Sequence, residues 1–433
     1  MSRRLLPTLA LLLCAVPLSA QDLRNTVQGL FQFGTGCADP LCLNSAVTPG
    51  SHGRHFITAL ATGSTSLIGF LTDAIGVSVS NVPLGGTSSG VTFTFVGGVP
   101  VSTSVSSGPV FGERAQTLGK GRVLIGANAT VVNFQSLRGV PLDGIVFDFA
   151  HDNGYTGDVG PTTRGNPQYE NDIFEVRPNF SVSVLVTSLY MTYGLLDRVD
   201  IGLAVPLVRT SVSGSSVGTV IPFGSGSPHF FGDTTGGLPR RYSDTTFIDG
   251  SATGIGDVAA RVKVNLHQTE RSGFAILLDT RLPTGNEKDF LGAGKVAIRG
   301  LGIWSARLGD FSPHGNFGYL SRRGARENDA VLTTLGFDQL LSPWATMAVD
   351  FVGEWEVGAS KLQIPGPVQI DSPFVRLVQP ANIPNQHDHV VNASLGFKFN
   401  TSGLTIVTNA LMPLRKAGLQ SSFIWTVGLE RSF

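Results

Sequence analysis

Long runs that alternate apolar and polar residues, connectors that alternate short and long, and a chain that ends in mid-strand on Phe433 predict an all-β fold. The expected architecture is a transmembrane antiparallel β-barrel of about fourteen strands, with twelve as the alternative count. A small, partly helical N-terminal plug precedes it. The expected segments are residues 1–20 as a signal peptide, 21–90 as the plug or hatch, and 91–433 as the barrel.

The N-terminal residues justify the first boundary. Arg3 and Arg4 precede an apolar stretch from Leu5 to Val16, and small residues lead to Gln21. That is the layout of a secretory signal, with cleavage expected after Ala20. Cys37 and Cys42, in GCADPLCL, are the cysteines left in the mature chain. Two close cysteines in an exported protein read as a disulfide. A metal site there lacks a third Cys or a His at ligand spacing.

FITALATGSTSLIGFLTDAIG places Phe56, Leu60, Leu67 and Leu71 near helical spacing. Gly63, Gly69 and Gly76 divide it into pieces too short to span a bilayer. The segment reads as a plug in or under the barrel. An unstructured periplasmic leader is the competing reading.

Composition narrows the partners. The 31 basic and 31 acidic residues cancel, which excludes the basic excess of a nucleic-acid binder. Charged residues are only 14 % and Gly numbers 54, a balance that favours β structure with tight bends. After the signal, no apolar run reaches the 18 or more residues of a transmembrane helix.

Alternation takes its place. In GDVAARVKVNLHQT, Val258, Ala260, Val262, Val264 and Leu266 oppose Asp257, Arg261, Lys263, Asn265 and His267. In VVNASLGFKFN, Val391, Ala393, Leu395, Phe397 and Phe399 oppose Asn392, Ser394, Lys398 and Asn400. In WATMAVDFVGEWEV, the apolar face opposes Asp350, Glu354 and Glu356. Period two over such lengths means strands. The lengths match the roughly 9–11 residues that a tilted strand needs to cross a bilayer. Charges at strand centres suit a wet lumen, with the apolar faces toward lipid. The lumen-facing candidates are Asp257, Arg261, Lys263, Asp279, Arg281, Arg299, Arg307, Asp350, Glu354 and Lys398. They either contact solute or fill the barrel with cross-lumen ion pairs.

Short connectors fall at 195–200, 269–273, 309–313, 340–344 and 400–403, and long ones near 151–170, 221–250, 285–294 and 359–386. Outer-membrane barrels have this asymmetry. Thirteen strands can be traced back from Phe433 to 120–134, including 143–150, 253–268 and 172–194, the last with an alternation that changes phase. Even parity assigns the fourteenth to 91–111. The last strand carries Phe423, Trp425, Val427, Leu429 and Phe433 on one face. It resembles the signal read by barrel-assembly machinery, with Arg431 as its one departure.

No catalytic, metal or cofactor site emerges. TGIGDVA has fingerprint spacing, but a strand follows where a helix is required. LGAGKVA lacks the upstream Gly and the Ser/Thr of a phosphate loop. The triplet His387, Asp388, His389 sits at a loop–strand boundary, where solvated polar residues are expected ahead of a metal site.

TYGLLDRVDIGLAVPL, SATGIGDVAARVKVNL and LPTGNEKDFLGAG resemble recurring elements of a bacterial outer-membrane family labelled for the meta-cleavage pathway of phenol degradation. Its architecture is related to that of the outer-membrane transporters of fatty acids and aromatic hydrocarbons. The shared residues include Tyr193, Gly194, Asp197, Asp200, Pro206, Gly254, Gly256, Asp257, Pro283, Thr284, Gly285, Gly292 and Gly294. The resemblance implies a Gram-negative, porin-like barrel for passive uptake of small hydrophobic or aromatic solutes, and no enzyme. A non-conducting structural or adhesive barrel is the alternative, and an outer-membrane hydrolase is a third reading. The expected partners are outer-membrane lipid, a small hydrophobic solute and the assembly machinery.

Overall fold

The computed structural model describes residues 22–33, 44–45, 69, 71–76, 78, 93–96, 99–102, 112–150, 172–222, 229–231, 239–322, 328–364, 366–370, 374–401 and 403–433. The signal segment, Cys37, Cys42, Phe56, Leu60 and Leu67 lie outside them.

Twelve antiparallel strands close into a ring. In chain order they are β1 Val123–Phe134, β2 Asp172–Leu196, β3 Val199–Pro222, β4 Ala259–Gln268, β5 Ser272–Arg281 and β6 Ala297–Ala306. The others are β7 Phe311–Arg322, β8 Ala330–Ser342, β9 Ala345–Glu356, β10 Val390–Thr401, β11 Leu404–Pro413 and β12 Ile424–Ser432. Each pairs with the next, and β12 returns to β1. A closed ring satisfies every backbone group in the wall, which hydrocarbon demands.

Two more strands bring the sheet to fourteen. Ser243–Ile255 pairs with upper β3, and Phe147–Ala150 with upper β2. Of the expected first strand, 91–111, the described residues are not part of the wall. Phe93–Val96 and Val99–Ser102 form a two-stranded sheet of their own. Pro100 lacks a ladder donor, which suits it poorly to a wall strand. The expected strand 253–268 is also divided, at 256–258, although both halves pair with β3.

The short connections β2–β3, β4–β5, β6–β7, β8–β9 and β10–β11 lie at the rim that also holds Phe433, which pairs back to Val123. The outer face is apolar. On β5, Phe274, Ile276 and Leu278 are 42–52 % exposed, while Ala275, Leu277 and Asp279 are at most 3 % exposed. On β12, Trp425, Val427 and Leu429 face out, and Thr426 and Glu430 face in.

β2 explains the apparent phase change. Its odd-numbered residues point outward and its even-numbered residues inward along the whole strand. Outward, Glu175, Arg177, Asn179, Ser181 and Ser183 give way to Leu185, Leu189 and Met191. Inward, Phe174, Val176, Phe180, Val182, Val184 and Val186 give way to Ser188, Tyr190 and Thr192. The pleat keeps its register and the surroundings invert. Residues 172–184 therefore project past the bilayer by ~40 Å of strand. There the outside meets water and the inside must be apolar.

N-terminal residues occupy that apolar interior. Asp22 caps helix α1, Leu23–Gln28, through the amide of Asn25 at 3.1 Å, satisfying a donor left free at the helix start. A 3-10 turn, Gly29–Phe31, follows. Leu23, Val27, Leu30, Phe31 and Phe33 are buried in one core with the inner faces of β2 and β3. Residues 71–76 are helical, and Leu71, Ala74 and Ile75 join the same core. Arg24 and Asp73 tie the two helical pieces at 2.7 Å.

Candidate functional site: the barrel interior

The polar end of the lumen is organised by residues 112–118, GERAQTL, which run without helix or strand along the inside of the wall. Any side chain on Gly112 would collide with the His314 ring and the Asp350 carboxylate. The Glu113 amide donates to Asn316 Oδ1 at 2.8 Å, and Asn316 Nδ2 returns a bond to the Glu113 carbonyl at 3.0 Å. Arg114 is ion-paired with buried Asp338. The Ala115 amide donates to Ser305 Oγ at 3.1 Å, and Asn265 donates to the Ala115 carbonyl at 2.7 Å. The Leu118 amide meets the Asp200 carboxylate at 3.0 Å. Gly121 then bonds Gly194, and β1 begins. These partners lie on β9, β8, β7, β6, β4, β3 and β2. The segment is a belt that follows the wall.

The ten charged candidates lie on inward positions or at strand ends, mostly paired. Arg261 reaches Glu113 at 3.3 Å and Asp279 at 3.1 Å. Lys263 lies 3.7 Å from Glu113, and Arg299 bonds Asp279 at 3.0 Å. Arg281 is buried within electrostatic reach of Asp279 and Asp257. Arg307 is in the β6–β7 turn, half-buried and near Arg114. Asp350 takes His314 Nε2 at 2.6 Å, Glu354 pairs with Arg322, and Lys398 lies 3.6 Å from Glu430.

Asp257 does something different from lining. Its carboxylate accepts the amides of Gly285 at 3.0 Å and Ala293 at 2.8 Å. Thr284 Oγ1 donates to the Gly256 carbonyl and accepts from the Val258 amide. A Cβ on Gly292 would sit 2.3 Å from Asp257 Oδ1. The Gly- and Asp-rich motifs at 253–257 and 282–294 therefore form one staple across the divided strand. The staple turns the β5–β6 connection inward, so Phe290 and Leu291 are buried in the core that holds Leu23 and Ile75.

Above the belt the lumen is apolar and aromatic. Phe31 stands edge-on to Phe147 at 5.0 Å. Phe33 stands edge-on to Phe174 at 5.6 Å and tilted to Phe231 at 5.9 Å. Of the plug residues expected from sequence, Leu71 is described and lies in this core.

Near the outer rim, Asp388 accepts from Arg138 Nε and Nη2, at 2.9 and 2.7 Å. Arg138 also bonds the carbonyls of Leu362 and Pro384 and the Ser360 hydroxyl. His387 and His389 stack at 5.2 Å. Among the described residues, no group of three His, Cys, Asp or Glu side chains is placed to hold a metal.

Sequence reasoning passed over Glu113, Arg114, His314, Asp338 and Glu430, and named Asp200 only for the family resemblance. Asp200, Asp338 and Glu430 have the signal that marked the others, a charge at an inward position of an alternating strand. The belt has no such signal, because its partners are set only by tertiary structure.

Residues 154–364 match the family model described as "Putative MetA-pathway of phenol degradation". No curated protein matches the chain. Among solved structures it is similar to the COG4313 outer membrane channel from Pseudomonas putida F1, at TM-score 0.44 and 13% identity over 74% of this chain and 98% of that one. A FadL homologue from Pseudomonas aeruginosa gives TM-score 0.32 and 11% identity, covering 84% of this chain and 97% of that one. The CymD monoaromatic hydrocarbon channel gives 0.28 and 11%, covering 82% and 99%. The chain folds as a closed antiparallel β-barrel with an apolar outer face, and its residues 154–364 resemble the phenol-degradation-pathway family.

Proposed function

We propose that the protein is a channel for passive uptake of small hydrophobic solutes across the outer membrane. One observation carries this: the apolar chamber formed by β2, β3 and Phe231 is filled by α1, Phe31 and Phe33, which are not part of the wall. A barrel that only needed a filled core could fill it with wall side chains. A chamber filled by a separate, non-covalently seated segment can be vacated for a solute of the same polarity. Residues 1–20 are read as the export signal and the strand ending at Phe433 as the assembly signal.

The pairing of the lumen charges favours a second reading, a barrel that never conducts. Planar-bilayer recording of the intact protein and of a form lacking residues 22–33 separates the two. Weak conductance that rises on deletion supports the channel. A deletion form that stays closed while remaining folded refutes it.

A further inference from the structure

We infer that the solute path runs along the arc of wall that the belt leaves bare, where Asn128, Ser188 and Asn409 offer unpaired polar atoms to the hydroxyl of a small neutral solute. This rests on the channel reading and specifies its route and chemistry.

Among the described residues, the belt's partners cover the wall from β9 through β4 to β2. Glu113 and Arg114 are buried in ion pairs, and Ala115 is buried with its amide and carbonyl bonded to Ser305 and Asn265 and its Cβ in an apolar cluster with Ala275, Leu277 and Ile303. A segment held by this many buried polar groups is a poor candidate for movement, because detaching it strands each of them. The neighbouring segment 22–33 is held mainly by apolar packing, with the partly exposed Arg24–Asp73 pair as its ion pair among the described residues. The belt is a fixed part of the wall.

Size makes the consequence definite. Twelve strands about 4.8 Å apart and tilted ~40° give a backbone diameter of ~24 Å. Wall side chains leave roughly half of that. An extended chain along one side takes about 5 Å more. By that arithmetic the room left is the width of a single small ring on the side of β10, β11, β12 and β1, and in this structure it is closed, because the side chains there are buried.

At mid-height that arc carries small neutral groups, with Val407 and Leu411 on either side of Asn409 on β11. Ser394 and Gly396 point inward from β10, Asn409 from β11, Thr426 and Gly428 from β12, and Asn128 and Thr130 from β1. The Lys398–Glu430 ion pair lies nearer the Phe433 rim. Asn128 is cross-strand neighbour to Ser188 on β2 and to Gly428. Asn409 faces Thr426 and Gly396.

Among the described residues, three buried atoms here lack a hydrogen-bond partner: Asn128 Oδ1, Ser188 Oγ and Asn409 Oδ1. Their residues are 7 %, 0 % and 1 % exposed. Asn409 Nδ2 is already committed to Ser394 Oγ at 2.6 Å, which leaves its oxygen as an acceptor. A buried acceptor without a donor is costly, so a passing hydroxyl group is held where an ion or a pure hydrocarbon is not.

The test uses whole cells that make this barrel, with uptake of benzyl alcohol and of toluene followed in parallel. N128A/N409A is expected to slow benzyl alcohol about tenfold and to leave toluene within twofold. Equal loss for both solutes, or none, overturns the hydroxyl site. A disulfide between A115C and G273C, in a background with Cys37 and Cys42 replaced by Ser, pins the belt, because a Cβ at Gly273 lies 3.1 Å from the Ala115 Cβ. Oxidation should not change uptake. A loss of more than tenfold, restored by reductant, overturns the fixed belt. If wild-type cells take up neither solute faster than cells without the barrel, the transport reading fails instead. Equilibrium binding of benzyl alcohol to purified protein then decides the site, and equal affinity in wild type and N128A/N409A overturns it.

Discussion

Replacing Phe33 by Ala tests whether the N-terminal segment is a seated plug. Phe33 is 1 % exposed and packs on Phe174 and Phe231. Phe174 belongs to β2, which is paired along its whole length with β3, so the pocket cannot close around the missing ring. The cost should lie at the upper end of the usual range for Phe to Ala, ~3–5 kcal/mol. If the segment docks onto a barrel that is folded without it, that loss falls on docking alone. At about 1.4 kcal/mol per factor of ten, the undocked population rises on the order of a hundred- to a thousandfold. Limited proteolysis within residues 22–33 should accelerate accordingly. The temperature at which the barrel loses its heat-modifiable gel mobility should stay put. Bilayer current should appear more often. If cleavage is unchanged, the ring does not hold the segment. If the barrel melts in step with cleavage, the segment belongs to the barrel's own core, and the vacating-chamber argument collapses.

The remaining expectations concern the wall and the outer rim. Phe397→Arg places a charge on the lipid face, opposite Met347, and should cost ~2–4 kcal/mol near the midplane, read as a lower heat-modification temperature. Lys398→Gln looks neutral from sequence, but Lys398 is 2 % exposed and its loss leaves Glu430 buried, so about 3–5 kcal/mol is expected by the same assay. Arg138→Ala and Asp388→Ala should each free the loops at 357–364 and 384–388 to protease. The double variant should cost less than their sum, and strict additivity would show that the pair is not coupled. Burial, and then the charge of Glu175, push the Asp148 carboxyl up to about 6, against the opposing Arg177. Its folded-state value exceeds its unfolded one, so its contribution is most favourable below pH ~4 and is lost as pH rises toward about 6. Asp148→Asn should therefore match wild-type stability at pH 4 and exceed it at pH 7.5; no difference at either pH would refute the shift.

How much of this was legible follows from what period two can encode. Alternation reports which face of a strand is apolar, and in β4, β5, β9, β10 and β12 the apolar face is the lipid face. Those strands, their short turns and the inward charges could be read directly. β2 could be found but not understood, because one pleat crosses two environments. Only the height of the bilayer tells Phe174 from Leu185, and a sequence carries no height. The count of twelve in the ring against fourteen turned on two expected strands: 143–150, of which Phe147–Ala150 pairs only with the projecting part of β2, and 91–111, of which Phe93–Val96 and Val99–Ser102 pair with each other. The 256–258 break is invisible for the opposite reason: Gly256 and Asp257 fit a strand locally and leave it because the 284–293 amides and hydroxyl need partners.

The interior was legible as residues and illegible as an arrangement. Arg261, Lys263, Asp279 and Arg299 each announce an inward charge, which suits a solute path as well as a packed network. What separates the two is the belt, whose seven residues have no periodicity, no motif and no distinctive charge. Glu113 alone draws two of the four candidates out of the lumen, and Asp279 holds two. Once those pairs are made, the charged arc has little left to offer a solute. The residues with capacity to spare are the ones that looked blandest in the sequence, the asparagines at 128 and 409 among glycines and hydroxyls. In a lumen whose charges neutralise one another, selectivity passes to the neutral groups whose hydrogen bonds are incomplete.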